Sequence, residues 1–234
     1  MNVFFVYCHP EPKSFNRALL LAGQAALLGA GHTVQVSDLY QMQFDPVSDR
    51  RNFTTVKDPD YYKQQVEENH ASQVDGFVPE IAHELKKLEW CDLLVFQFPL
   101  WWFGLPAMLK GWVDRVMVAG HVYGGGKWYD RGAFVGKRAV CSLTTGGPPS
   151  IYEPTGLNGD IRQILFPINH GIFNFTGFAP LAPQVSYAPA HIDKRQREAA
   201  LVAWAERLLT IETETPLSYP GLDAYDEQFR LKTP

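Results

Sequence analysis

The sequence predicts an α/β protein built on one doubly wound parallel sheet, and three observations carry that reading. Short apolar runs of strand length alternate with helical patterns along most of the chain, the rhythm of repeated βαβ units. The clearest of these runs are short and predominantly apolar, as strands covered on both faces are. Loops rich in glycine, proline and aromatics leave their carboxyl ends, where open α/β sheets bind ligands. No internal repeat, low-complexity tract or Gly/Ser linker interrupts the 234 residues. A single domain over 1–234 is therefore expected, with an irregular 41–78 segment and a tail, 212–234, outside the core.

Asn2 to Tyr7 (NVFFVY) reads as a buried first strand. The loop His9-Pro10-Glu11-Pro12-Lys13-Ser14 follows, and a helix opens at Phe15 and runs to about Gly29. Ser14 suits its N-cap. A first βα loop feeding a helix N-terminus offers free N–H groups and a favourable dipole to an anion, and His9 and Lys13 add to it. No G-x-G-x-x-G occurs, so the Rossmann dinucleotide fingerprint is absent. A plain capped turn explains this loop equally well. Thr33 to Val36 is a second strand. Residues 41–78 are polar with little periodicity, a length that in a compact domain is usually functional or covers a partner surface. Pro79 to Leu88 reads as a short helix.

The organising stretch runs from Leu93 to Val116. Leu93 to Phe98 is a buried strand ended by Pro99, and Leu100, Trp101, Trp102 and Phe103 follow without a polar residue. Pro106 suits a first helical position, where its missing N–H costs nothing. Leu109, Trp112, Val113 and Val116 then recur at helical spacing. Three aromatics in a row at a strand exit suggest a platform for a flat, apolar ligand, with a cap on the core as the alternative.

Beyond it, the glycines Gly124 to Gly126 lie between Tyr123 and Trp128 in a loop able to approach a ligand closely. Arg138 to Leu143 is the next strand, and Thr144-Thr145-Gly146-Gly147 frees backbone N–H groups at its end. Tyr152 to Asn158 continues the loop, a helical segment spans about 159–170, Ala182 to Tyr187 is a last strand, and Ile192 to Leu209 a closing helix. The tail from Glu212 shows no clear element.

Composition narrows the function classes. A net charge of −4 gives no electrostatic case for nucleic acid. No run approaches the roughly 18 apolar residues of a transmembrane helix, and the amino terminus lacks the basic region and cleavage site of a signal peptide. Cys8, Cys91 and Cys141 are odd in number and lack a C-x-x-C spacing, which fits reduced thiols and a cytoplasmic protein.

From HPEPKSFNRA at 9–18, SDLY at 37–40, FQFPLWWFGLPAMLKGWVDRV at 96–116, TTGG at 144–147, Tyr152, NGD at 158–160 and FTGF at 175–178, the chain resembles the NAD(P)H:quinone oxidoreductases. The resemblance covers Val3 to about Pro216. It implies a flavodoxin-like five-stranded sheet with helices on both faces, FAD in preference to FMN, and a homodimer reducing quinones in two-electron, ping-pong fashion with a reduced nicotinamide donor. Carried over residue by residue, His9, Lys13, Ser14, Phe15, Asn16 and Ala18 would hold the pyrophosphate and adenosine side. Pro99, Leu100, Trp101, Trp102 and Phe103 would border the isoalloxazine. Thr144, Thr145, Gly146 and Gly147 would touch its pyrimidine end with Tyr152 and Asn158 nearby, and Arg197 would lie near the adenine. Lys63 would reach the partner subunit's cofactor. Trp102, Phe103, Tyr123, Trp128 and Phe175 would form an aromatic substrate box. The catalytic set is Tyr152, Asn158, Gly146 and Gly147, whose donors would stabilise charge on the reduced ring.

Some positions depart from the family pattern. Asn158 stands where type-1 members have a His, and it cannot take up a proton near neutral pH. It matches the type-2 members, which prefer reduced nicotinamide ribosides. Gly125 replaces an aromatic. Of the residues with which type-2 members bind a metal, His170 remains, Asn174 replaces a His and no Cys follows Cys141, so no metal is expected. The alternatives are an ancillary subunit of a potassium-efflux transporter, an FMN electron shuttle and a flavin-free interaction module.

Overall fold

The structure, a computed structural model, describes residues 1–232. Its elements are β1 (Asn2–Tyr7), α1 (Phe15–Gly29), β2 (Thr33–Asp38), α2 (Gln64–Val74), α3 (Pro79–Trp90), β3 (Leu93–Pro99), α4 (Ala107–Val116), β4 (Arg138–Thr145), α5 (Ile161–Ile164), α6 (Phe166–Ile168), β5 (Ala179–Pro180), β6 (Gln184–Tyr187) and α7 (Lys194–Thr210). All strand pairings in the sheet are parallel, in the order β2-β1-β3-β4-β5, and β6 also pairs with β4. The last strand, expected over 182–187, begins only at Gln184 as β6, after Pro183, which supplies no N–H, and an unexpected two-residue strand, β5, pairs with the start of β4.

Each face of the sheet has its own core. On one, Phe5, Leu19, Trp204 and Leu208 pack α1 and α7 against the strands. On the other, Phe4, Phe96, Phe98, Trp112 and Phe173 pack α3, α4 and the segment after α6. Ser14 caps α1 as expected, its Oγ accepting from the Arg17 N–H at 3.1 Å. Asp193 and Gln196 close a reciprocal capping box, so α7 begins at Lys194 and not at Ile192. Pro106 is the N-cap residue of α4, one position earlier than expected.

The 41–78 segment is not irregular throughout. It contains the eleven-residue α2, which periodicity misses because its buried face is Glu67, Glu68 and Ala71 while Val66 and Val74 are exposed. Glu67 accepts the N–H groups of Lys57 at 2.7 Å and Asp58 at 3.0 Å, and Glu68 accepts that of Ala119 at 2.7 Å. The carboxylates do the work an apolar stripe usually does. Buried Arg115 pins the first half of the segment through Asn52 Oδ1 at 2.7 Å, the Asp45 carbonyl at 2.7 Å and Glu80 at 2.8 Å. Gly111 permits that approach, since a Cβ there would lie 2.4 Å from Pro46.

The helix expected over 159–170 is also corrected. It breaks into α5, α6 and a π-helical turn, Asn169–Asn174, with Pro167 at the junction. The tail is anchored along the body: Arg138 donates to the Glu214 carbonyl at 2.6 Å, and the Leu217 N–H to Pro180 O at 2.7 Å. Residues 233–234 of the expected tail lie outside the described residues. No helix among the described residues is long and apolar enough to cross a membrane.

Candidate active site

The carboxyl ends of β1, β3 and β4 meet at one edge of the sheet, and three loops leave it together. In the first, His9, Lys13, Ser14, Phe15, Asn16 and Ala18 line a cleft of about 440 Å³ with Thr144, Pro189, Ala190 and Arg197. The structure therefore brings every first-loop residue named from the sequence together with Thr144 and Arg197, and adds Pro189 and Ala190. Arg197 donates to the carbonyls of Pro189 and Ile192, holding the β6–α7 loop as one wall. His9 Nδ1 accepts the Glu11 N–H at 3.0 Å, so the neutral ring carries its proton on Nε2. Burial lowers the His9 pKa and favours that neutral form. The amino end of α1, Lys13 and Arg197 make this end of the cleft suited to an anion.

In the second loop the Leu100 N–H bonds the Thr144 carbonyl at 2.8 Å, tying it to β4. Trp101 and Gly104 then bond each other through both backbone groups, at 3.0 and 3.3 Å. The two residues between them, Trp102 and Phe103, take φ values of +49° and +57°. A two-residue turn with both central residues left-handed normally selects Asn-Gly. Here it carries two bulky aromatics at a cost of order 1–3 kcal/mol each. The geometry lifts Trp102 to 97% exposure and Phe103 to 51%. Trp101 tilts toward His9, ring centroids 6.2 Å apart.

The third loop follows β4. Thr145 Oγ1 donates to the Gly147 carbonyl at 2.9 Å, and the Ala188 N–H bonds the Thr145 carbonyl at 3.0 Å. A side chain at Gly146 would meet nothing within 4 Å, so that position faces open space. Tyr152 is buried, with Tyr187 at 5.9 Å ring to ring. The Asn158 N–H bonds the Ile151 carbonyl at 2.8 Å, which returns the loop to the residue beside Tyr152. Gly156 allows the return, because a Cβ there would sit 2.5 Å from the Ser150 carbonyl oxygen.

A separate aromatic chamber of about 430 Å³ is lined by Trp128, Tyr129, His170, Phe175, Pro220, Leu222, Tyr225 and Phe229. Tyr123 joins it through Phe175, ring centroids 5.8 Å apart. The substrate-box residues Tyr123, Trp128 and Phe175 thus cluster. Among the described residues no aromatic pair links Trp102 or Phe103 to them within the protomer. The tail wall is the part sequence reasoning missed, and its one signal was the spacing of Leu222, Tyr225 and Phe229. The Leu222 N–H holds that wall on Asp130 at 3.2 Å. Lys63 is the N-cap of α2.

His170 stacks on Phe166 at 4.7 Å and meets the edge of Tyr219 at 4.9 Å. Burial lowers its pKa. A histidine kept neutral by the fold contributes stability above its unfolded value of about 6.5, and that contribution is lost as pH falls below it. Thermal melts between pH 7.5 and 5.5 should therefore show a shallower decline for His170→Phe, which keeps a stacked ring, than for the parent. Among the described residues no group of three or more His, Cys, Asp or Glu side chains is placed to hold a metal. Burial drives the Cys8 and Cys91 thiols up to about 12, and the Cys141 thiol upward too, so none is poised as a nucleophile.

The sequence profile of the flavodoxin-like fold matches residues 1–208. The human ribosyldihydronicotinamide dehydrogenase [quinone] is 43% identical over 217 residues, 92% of this chain and 94% of that protein. The guinea pig (Cavia porcellus) NAD(P)H dehydrogenase [quinone] 1 is 42% identical over 230 residues, 98% of this chain and 84% of its own length. A solved structure from Klebsiella pneumoniae, provisionally assigned as a quinone reductase, superposes with a TM-score of 0.96 at 38% identity, covering 99% of this chain and 94% of that one. The transporter-subunit alternative finds no support among these relatives. On fold, loop order and relatives together, the chain belongs to the flavodoxin-like family of NAD(P)H:quinone oxidoreductases.

Proposed function

We propose that the chain is a cytoplasmic, homodimeric quinone reductase that uses FAD and works in ping-pong order with a reduced nicotinamide donor. The observation that carries the cofactor assignment is the cleft between the amino end of α1 and the end of β4. It is cationic at Lys13 and Arg197, polar at Ser14, Asn16 and Thr144, and bordered by the open Gly146 position. Those residues fit a flavin nucleotide, with Lys13, Ser14 and Arg197 toward its phosphates and adenine, and Pro99 to Phe103, Thr145 and Gly147 around its ring. Flavin is the cofactor of flavodoxin-like quinone reductases, and when bound it takes two electrons from the donor and passes them to the quinone.

The protein's part is to bind, orient and hold charge. Backbone N–H groups of Gly146 and Gly147 and the Tyr152 hydroxyl are the donors for the pyrimidine end. Trp102 and Phe103, raised on their turn, would border the ring held by their own protomer, and Tyr123, Trp128 and Phe175 of a second copy would complete the box. Lys63 is assigned to the cofactor of the partner. Unpaired, buried thiols support the cytoplasm.

Stopped-flow mixing with NADH, NADPH and a reduced nicotinamide riboside, followed by a quinone panel, tests the reading. Bleaching of the bound flavin and reoxidation by quinone are expected, and a protein that no donor bleaches refutes it. Asn158 polarises the site but carries no titrating proton there. Asn158→His should therefore add an inflection near pH 6.5, about the ordinary histidine value, to a flavin-reduction rate that is otherwise flat across it.

A further inference from the structure

Beneath the cleft, three buried side chains form a hydrogen-bonded line that joins β3, α1 and β4. Gln97, on β3 and wholly buried, donates from Nε2 to Asn16 Oδ1 at 2.9 Å. Asn16, on the first turn of α1 and 2% exposed, donates from Nδ2 to Thr144 Oγ1 at 2.8 Å. Thr144, at the end of β4, lines the cleft. The family resemblance gave roles to Asn16 and Thr144 but none to Gln97.

The direction of this line has a chemical consequence. An amide oxygen only accepts and an amide nitrogen only donates, so each link fixes the next. With Gln97 donating to it, the Asn16 oxygen is held toward β3 and its NH2 group toward Thr144. Thr144 Oγ1 is thereby committed as acceptor on its protein side, and its hydrogen has no partner among the described residues. Run in the opposite sense, the same line would turn the Thr144 hydrogen back into the protein. Gln97 Oε1 is buried with no partner among the described residues, so the line has no second anchor at its far end.

We infer that Gln97 is a positioning residue that aims the Thr144 hydroxyl as a donor at an acceptor oxygen of the flavin nucleotide, phosphate or ribityl. It acts through Asn16 and touches no ligand itself. The inference rests on the cleft being the flavin site. A threonine whose neighbours consume its hydrogen can offer an incoming oxygen only lone pairs, and one whose neighbours donate to it offers the proton. Removing Gln97 frees the Asn16 amide to rotate, after which its oxygen captures the Thr144 hydrogen.

The test is a double-mutant cycle read by quenching of flavin fluorescence as apoprotein is titrated, with melting of each apoprotein as the fold control. Wild type that binds neither FAD nor riboflavin overturns the flavin reading itself. Given wild-type binding, Thr144→Ser should bind FAD as the parent does, and Thr144→Val about tenfold more weakly, the worth of one hydrogen bond to a polar or charged oxygen. Gln97→Met should lose the same factor although it is remote from the ligand, and the Gln97→Met, Thr144→Val double variant should lose no more than Thr144→Val alone. If Gln97→Met does not fold, Gln97→Glu replaces it above the pKa of the new carboxylate, where it only accepts and the same loss is expected. Repeating the cycle with riboflavin identifies the oxygen: a loss seen with FAD alone assigns phosphate, and one seen with both assigns ribityl. A folded Gln97 variant that binds FAD like the parent, or losses that add in the double variant, would overturn the inference.

Discussion

Replacing Trp102 and Phe103 together by Asn and Gly is expected to lower quinone turnover by about two orders of magnitude while making the apoprotein more stable. The two residues sit between the mutual Trp101–Gly104 hydrogen bonds with φ values of +49° and +57°. Asn and Gly tolerate that conformation, so the replacement relieves strain of order 1–3 kcal/mol per residue. At about 2–4 °C per kcal/mol for a chain of this size, melting should rise by roughly 4 °C or more. Neither side chain is buried, Trp102 being 97% exposed, so little packing is lost in exchange. If the aromatics cover the reacting ring, turnover collapses as stability rises. A variant that is stabilised and fully active would show that the turn serves another end.

The second large effect falls on Glu84. It is 1% exposed, and its carboxylate accepts from Ser37 Oγ at 2.7 Å, from Trp112 Nε1 at 2.8 Å and from Lys87 at 2.6 Å. Glu84→Ala strands the Trp112 indole N–H and the Ser37 hydroxyl hydrogen and leaves Lys87 only Ser37 Oγ, at 2.8 Å, as a partner. Breaking a buried pair by removing one partner costs about 3–5 kcal/mol. Melting should drop by roughly 10 °C, with Glu84→Gln, which still accepts from Trp112, falling less. Chemical denaturation of the three proteins checks both. This carboxylate joins β2, α3 and α4, so the loss falls on the fold ahead of the cleft.

The strands were legible because a doubly covered strand leaves little room for polar side chains: NVFFVY and LLVFQF, apolar but for Asn2 and Gln97, are plain statements of burial. The first loop was legible as an anion site because Ser14 and the helix behind it are a local arrangement. The resemblance supplied Arg197, which lies far along the sequence from the loop it joins. α2 was hidden because its inward groups are glutamates bonded to distant backbone amides, an arrangement no periodicity reports. The π-helical turn was hidden for a related reason. An extra residue in a helix shifts everything after it, Phe175 included, without any compositional mark. Gln97 passed as one polar interruption of an apolar strand, and its part emerges only when Asn16 and Thr144 are seen on either side.

The polar inner face of α2 also governs the aromatic chamber. Glu68 grips the Ala119 amide, Ser72 Oγ donates to the Ala119 carbonyl at 3.0 Å, and Gln65 reaches the Tyr123 hydroxyl at 3.4 Å. The wall bearing Tyr123 is hung from these directional bonds as well as from Val118 and Val122, which sit in the core beneath it. Its placement therefore has two suspensions, and one amide-for-carboxylate exchange at Glu68 would slacken the outer of them and let the chamber's width drift.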